Sequence, residues 1–447
     1  MENRIEVPNL EKQIGIDRYE TDTLGVKGIL RHRPEDFYVE EISDVKVSPI
    51  DADNKSLKYL VFELTKNNWD TNHFLKAFSS HLGISHKRIS YAGTKDKRAV
   101  TVQKMSVYDL PAESLENVSL KDVSIRVLGK SQGPVALGDL DGNMFKIIIR
   151  NIDFSPEETT QMAEKTTSEI AAMGGVPNFF GIQRFGTKRP MTHLVGQDIL
   201  SGDLEKAVMR YIAESYPDEP EETKRVRDYI RETNDLKGGL SQMPDHLGHE
   251  KALLNHLISN PGDFKGAFMV LPKNLYTMFV HAYQSYLFNQ IICARLNAGF
   301  SLNRAEIGDI VCYRKGKVPD PGRLETVDSE NIDGINNLLK KKRAFVTAPL
   351  FGSETPLASG IPGEIERNII EKTGFTADDF KVPVFPETAS RGLRKEILLE
   401  AEPKFSATED SEFMGKTALT LEFSLPKGSY ATTVLREYMK TDPLDMS

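Results

Sequence analysis

The densest chemistry in the sequence lies at residues 86–104, HKRISYAGTKDKRAVTVQK, where Lys87, Arg88, Lys95, Lys97, Arg98 and Lys104 surround one acid, Asp96. The pattern fits a surface that takes phosphate, with a carboxylate set inside it. In a water-poor pocket a carboxylate acts as a nucleophile or as a general base, and cations beside it keep it ionised. A solvated turn in which Asp96 merely ion-pairs with its neighbours has the same composition. The run is not a P-loop, because GxxxxGK[ST] is absent.

A second cluster, GGVPNFFGIQRFGTKRP (174–190), interleaves aromatic and basic residues between glycines. Such a loop can stack an unpaired base on Phe180, meet phosphate with Arg184 and orient polar groups with Asn178. It equally fits a turn that plugs the core with Phe179, Phe180 and Phe185. A third segment, LPKGSYATTVLREYM (425–439), is a turn leading into a helix capped near Ser429, with Tyr430 at its start and Arg436 along it. Tyr430 could line a base pocket or serve only the fold.

The remaining candidates have plainer readings. His246, His249 and His256 lack a thiolate or a fourth ligand at a recognised zinc spacing, so no metal is expected. Cys293 and Cys312 have no CxxC spacing and are expected in the core. The run Lys340, Lys341, Lys342, Arg343 reads as a solvated helix end that could also touch RNA, and SRGLRKE (390–396) adds further basic residues.

The elements that must position these clusters change character along the chain. LGVKGILRHRPEDFYVEEI (24–42) reads as two strands about a Pro-containing turn, an edge or hairpin in which Phe37 and Val39 share a face. LKYLVFELTK is a strand, TNHFLKAFSSHLG a helix stopped by Gly83, and AVTVQKMSV a strand that puts AGTKDK on a turn. GDLDGNMFKIIIRNI carries a strong strand, and a helix follows with Ser155 as N-cap, Pro156 at its first turn and Gly174-Gly175 as its stop. From about residue 200 long helical patterns displace strands. The tail returns to strand, turn and helix, and is expected to complete the sheet begun by the N-terminal half.

With 447 residues, two or three domains are expected, and 39% hydrophobic with 27% charged residues describes a soluble globular chain. There is no apolar run of membrane-spanning length and no signal-like N-terminus, so a cytoplasmic protein with no membrane partner is expected. A net charge of −8 argues against indiscriminate coating of nucleic acid, though it is the local field that steers a polyanion. No heptad pattern suggests assembly, and a monomer is the expectation.

Taken together, four segments resemble the tRNA pseudouridine synthase D (TruD) family, and the likeness runs through nearly the whole chain. RHRPEDFYVEE is similar to the family's PEDFxVxE, YAGTKDKRAVTVQ to AGxKDKxAxTxQ, VPNFFGIQRFG to VPNYFGxQRFG, and LPKGSYATTVLRE to LPxGSFATxxxRE. Their joint occurrence in order is far more specific than any one of them.

The resemblance implies an α+β fold. A pseudouridine-synthase catalytic domain with a mixed, largely antiparallel sheet comes from both chain ends, residues 1–195 and 401–447, and a mostly helical TRUD domain is inserted at 196–400. It implies that Asp96 is the essential aspartate, that Phe37, Asn178 and Tyr430 line the substrate pocket with Phe180 near the flipped base, and that Arg31 and Lys95 occupy matching basic positions. The implied partner is tRNA, typically at uridine 13, and the implied reaction needs no cofactor. In that reaction the C1′–N1 bond breaks, the uracil rotates, and C5 joins C1′. The carboxylate either attacks C1′ or removes the C2′ proton. Two departures stand out: GKSQGPVALG replaces a basic stretch of bacterial members, and there is extra sequence around 210–265. Tyr430 stands where many relatives have Phe.

Overall fold

The structure, a computed structural model, describes residues 5–52, 54–316 and 318–446. Its first half supplies strands β1 (Phe37–Ile42), β2 (Tyr59–Asn67), β3 (Ile89–Tyr91), β4 (Val100–Tyr108), β5 (Val123–Ser131) and β6 (Gly142–Ile152), followed by the short β7 (Val176–Pro177). The middle supplies β8 (Ile310–Lys315), β9 (Val318–Thr326), β10 (Ala344–Leu350), β11 (Leu393–Glu396) and β12 (Leu398–Leu399), and the tail β13 (Lys404–Glu409) and β14 (Thr417–Pro426).

The main sheet runs β13-β14-β6-β1-β4-β2-β5, with β3 also on β4. β14 pairs antiparallel with β6 from Thr417 to Pro426, so the tail does complete the N-terminal sheet. Every pairing in it is antiparallel except β1 with β4. The fold is α+β, as the family resemblance implied.

Residues 24–30 do not form the expected first strand. Only Ile29 bridges to Arg150, because Gly25, Lys27 and Gly28 take φ of +78°, +59° and +83° and break the extended path. A Cβ on Gly28 would lie 2.6 Å from the Arg150 carbonyl oxygen, so the chain needs glycine there. Nor is β1 an edge: β6 and β4 flank it, and its inward Phe37 and Val39 are 1% and 5% exposed.

Helix signals were legible. Asp70 caps Thr71–His81 by accepting from His73 N, and Gly83 follows with φ +63°. Ser155 and Glu158 form a reciprocal capping box on Pro156–Met173, and Gly174 ends it at φ +78°. At the tail helix Ala431–Met439, however, Tyr430 and not Ser429 is the N-cap residue; it makes no side-chain cap, and the buried Ser429 Oγ has no partner.

The middle of the chain packs helices Thr192–Leu200, Leu204–Ala213, Glu221–Thr233 and Gly248–Ser259 with the long Lys273–Asn297 around one apolar cluster. It also holds a four-stranded antiparallel sheet, β11-β10-β8-β9, that the helical texture did not foretell. Its edge strand β9 (VPDPGRLET) carries two prolines and a glycine, which read as loop but are tolerated at an edge. Another cluster joins Ile14, Ile16, Phe179 and Phe185 to Phe288, Ile291, Val346 and Ile397, packing the N-terminal arm and the 179–185 loop against this half. Cys293 and Cys312 are buried.

Candidate active site

Strand direction brings the first cluster together. β1 and β4 are parallel with Tyr38 opposite Val100, so the segments that precede them arrive at the same end of the sheet. β2 runs antiparallel to β4 with Asn67 opposite Val100, which brings its C-terminal end there too. Arg31, the turn 93–98 and the stretch Lys66–Thr71 therefore converge.

Arg31 donates from Nη2 to Asp96 Oδ2 at 3.0 Å, and its guanidinium lies 4.0 Å from the centre of the Phe37 ring. The Arg31 side chain is 12% exposed and that of Asp96 50%, so the cation is pinned beneath while the acid faces solvent. An exposed pair contributes only about 0–1 kcal/mol to stability, whereas a desolvated cation over an aromatic face gains about 2 kcal/mol. The stacking fixes Arg31, and Arg31 orients Asp96. Phe37 is covered rather than open, with its edge on Phe145 at 6.4 Å and Arg31 over its face.

Lys95 points inward. Its Nζ donates to Asn143 Oδ1 at 2.8 Å and pairs with Glu41 Oε2 at 3.3 Å, with its side chain 6% exposed. Arg88 bonds the Tyr108 and Asp109 carbonyls at the far end of β4, and Lys104 Nζ reaches Ser43 O at 2.5 Å. The six cations of this stretch thus divide: Lys95, Arg88 and Lys104 serve the fold, Lys87 is exposed on the turn before β3, and Lys97 and Arg98 stand exposed beside Asp96. Three further side chains hold the turn's backbone. Lys66 Nζ donates to Asp96 O at 3.0 Å, Thr71 Oγ1 bonds the Lys95 backbone, and Gln103 Nε2 donates to Gly93 O at 3.3 Å.

The second cluster hangs on the short pairing of β7 with β12. Asn178 is 4% exposed; its Nδ2 donates to Glu396 O at 2.9 Å and Glu396 Oε1 at 3.1 Å. Phe180 is half-buried, edge-on to Phe288 at 5.5 Å, with its backbone N–H and C=O both bonded by the Asn289 amide. Phe179 and Phe185 are buried, so the loop both plugs the core and leaves one ring at the surface. The Arg184 guanidinium lies 5.9 Å from the Phe180 centroid and is pushed below its ordinary pKa by burial, with Tyr430 opposing that shift. Tyr430 is 38% exposed at the start of the tail helix, which Thr433 Oγ1 fastens to the loop through Phe179 O at 3.2 Å.

No hydrogen bond among the described residues links Asp96 to Asn178, Phe180 or Tyr430; the sheet relates the two clusters. Leu425 lies opposite Asn143, the acceptor for Lys95, and Tyr430 follows five residues later, a span of at most about 18 Å of chain. Glu396 also lines a groove of about 890 Å³, together with Met144, Ser424, Lys341, Lys342 and Arg343. Of the basic residues at 390–396, Arg394 is 1% exposed and bound to Glu366, a structural role, while Arg391 is exposed.

Sequence reading missed Glu41, Lys66, Thr71, Asn143 and Glu396. One signal for Lys66 was present: Leu60, Phe62 and Leu64 set an inward alternation in which position 66 also points inward.

The family described as tRNA pseudouridine synthase D (TruD) matches residues 13–438. Over 444 residues the chain is 56% identical to a relative of that name from Methanosarcina acetivorans, covering 99% of each. Over 445 residues it is 38% identical to one from Halobacterium salinarum, covering 97% of this chain and 98% of the relative. A crystal structure under that name from Methanosarcina mazei superposes with a TM-score of 0.89 at 55% identity, covering 99% of this chain and 100% of that one. The matched span takes in the Arg31–Asp96 pair, the 176–185 loop and Tyr430, and the chain belongs to the tRNA pseudouridine synthase D family.

Proposed function

We propose that this chain, acting as a monomer, isomerises a uridine of tRNA, at position 13, to pseudouridine, with Asp96 as the initiating group. The observation that carries the reading is Asp96 itself: a half-exposed carboxylate on a turn whose backbone is held from below, oriented by a cation that aromatic stacking fixes. Residues 1–195 and 401–447 are taken as the catalytic part and 196–400 as the insert.

A uridine stacked in folded RNA is out of reach of Asp96, so the reaction begins with extrusion of the nucleotide. Phe180 and Tyr430 offer faces for the extruded base, Asn178 a polar contact, and Lys97 and Arg98 charge for the backbone. Asp96 then either attacks C1′ and displaces N1, giving an ester that C5 later displaces, or takes the C2′ proton as the C1′–N1 bond breaks and returns it once C5 has joined C1′. On either route the uracil turns, C5 loses its proton, N1 gains one, and Asp96 is left as the free carboxylate. Bonds broken and formed balance within one nucleoside, so the net change needs no electron donor or acceptor. Arg31 stabilises the carboxylate before and after it reacts.

The test is to incubate the chain with unmodified tRNA and map pseudouridine by carbodiimide adducts and reverse-transcription stops. A stop at position 13 with wild type and none with Asp96→Ala is expected. No stop at any uridine would leave a binding protein in place of an enzyme, and a stop elsewhere would move the target.

A further inference from the structure

The inward positions of β2 are Leu60, Phe62 and Leu64, and then Lys66, whose exposure is 0%. An ammonium at an apolar register position costs free energy unless its charge and protons are taken up. Among the described residues no carboxylate pairs with Lys66. Its Nζ donates instead to two main-chain carbonyls, Asp96 O at 3.0 Å and Trp69 O at 2.6 Å.

Register explains how it reaches them. Lys66 lies opposite Thr101 on β4, and Val39 of β1 lies beside the same Thr101, so all three share the face over which the turn passes. Thr71, the first residue of the next helix, grips the turn one residue earlier: its Oγ1 accepts from Lys95 N at 3.2 Å and lies 3.3 Å from Lys95 O. Lys66 and Thr71 therefore hold the backbone of two consecutive residues, Lys95 and Asp96, from one short stretch of chain.

A residue that only filled this space would be better as Met, which has nearly the same reach and no charge to desolvate. What lysine adds is a fixed donor and a positive charge beneath the backbone of Asp96, whose carboxylate is half exposed to solvent. Burial draws the Lys66 amine down to about 8, with Asp96 and Asp70 pulling it up and Lys95 adding to the fall. Buried groups displaced in this way concentrate where a site needs them.

We propose that Lys66, with Thr71, is a positioning residue for Asp96: donation to the Asp96 carbonyl sets the turn so that the carboxylate meets both Arg31 and the target nucleoside, without either residue touching RNA. The inference rests on the assignment of Asp96 as the initiating group.

Single-turnover conversion of unmodified tRNA and tRNA binding are measured for wild type, Asp96→Asn, Lys66→Met, Lys66→Gln and Thr71→Val, with thermal melting to establish folding. An inactive wild type, or full rate in Asp96→Asn, would defeat the underlying assignment irrespective of Lys66. With that assignment intact, Lys66→Met is expected to lower the rate about 100-fold while tRNA Kd stays within about twofold, and Lys66→Gln, whose amide still donates to a carbonyl, to recover about tenfold of the loss. Thr71→Val is expected to fall between Lys66→Met and wild type. A folded Lys66→Met with wild-type rate, or with a rate loss matched by weaker tRNA binding, overturns the proposal. Should Lys66→Met fail to fold, wild-type rates in Lys66→Gln and Thr71→Val overturn it.

Discussion

Arg31 meets Asp96 from a strained backbone: with φ of +55° it donates Nη2 to Oδ2 at 3.0 Å while its guanidinium lies 4.0 Å over Phe37. Left-handed geometry at a residue with a Cβ costs on the order of 1 kcal/mol, and such strain persists where the surroundings over-determine it. Arg31→Gly separates the two roles, since glycine relieves the backbone and deletes the side chain. It is expected to fold and to lose at least about 100-fold in single-turnover rate. Arg31→Lys keeps a charge but cannot present a planar face to Phe37 while bonding Asp96, and should lie between. A wild-type rate in Arg31→Gly would show that Asp96 needs no orienting cation.

Stability of the same end of the sheet depends on Arg150. From β6 it gives Nε to Asp36 Oδ1 and Nη1 to Asp410 Oδ1, both at 2.8 Å, and all three residues are buried. It thereby ties the turn before Phe37 to the hairpin between β13 and β14. Arg150→Met takes this cation from two buried carboxylates, leaving Asp36 with Arg33 Nε at 3.4 Å and Asp410 with backbone N–H donors, and is expected to cost about 3 kcal/mol in denaturant unfolding. Adding Asp36→Asn and Asp410→Asn should return much of the loss. Failure of the triple variant to recover would mean that the clasp acts by shape rather than charge.

How much of this was legible depended on the range of the interaction. Caps, turns and period are local, so the 156–173 helix with its Ser155 box and Gly174 stop, and the strands at 59–67 and 100–108, could be read from neighbours. Asp96, Asn178 and Tyr430 stood out in basic and aromatic clusters, and only the family resemblance gave them roles. The parallel pairing of β1 with β4, which makes Arg31 and Asp96 adjacent, is a long-range choice that no local pattern encodes. Glu396 is likewise 218 residues from Asn178. Lys95 reads as a phosphate contact and is a buried strut, because a lysine's sequence neighbours do not reveal Glu41 and Asn143 beneath it.

His193 should make the chain acid-sensitive. It is 2% exposed, stacked on Tyr286 at 4.9 Å and edge-on to Phe185 at 5.2 Å. Burial draws its pKa from 6.5 down to about 4, with the Gln13 backbone pulling slightly the other way. The folded value is the lower one, so as pH falls from 6.5 towards 4 the unfolded chain takes a proton that the folded chain refuses, and stability is lost across that window. Linkage puts the loss from this group at about 2.5 kcal/mol by pH 4.5. Urea unfolding of wild type and His193→Gln at pH 7 and 4.5 measures it. An equal acid loss in both would assign the sensitivity elsewhere.

Asn178 is set by Glu396 in a way that decides which of its atoms a ligand meets. Both amide hydrogens go to Glu396, one to its carbonyl and one to Oε1, while Lys395 Nζ holds the same Oε1 at 2.8 Å. The side-chain oxygen is then the group left to contact a base, and it can accept from the N3–H of uracil. Asn178→Ala removes that acceptor and is expected to lower the single-turnover rate about 10–100-fold with the fold retained. Asn178→Asp keeps an acceptor but sets a second carboxylate against Glu396 in a buried position, which should cost about 1–3 kcal/mol at pH 7. That cost should shrink as pH falls and the new carboxyl, its pKa raised by Glu396, takes up a proton, a change that Asn178→Ala cannot show. Melting temperature and conversion rate against pH for the two variants separate the donor role from the acceptor role. A wild-type rate in Asn178→Ala would remove Asn178 from base recognition and leave it as a strut for the loop.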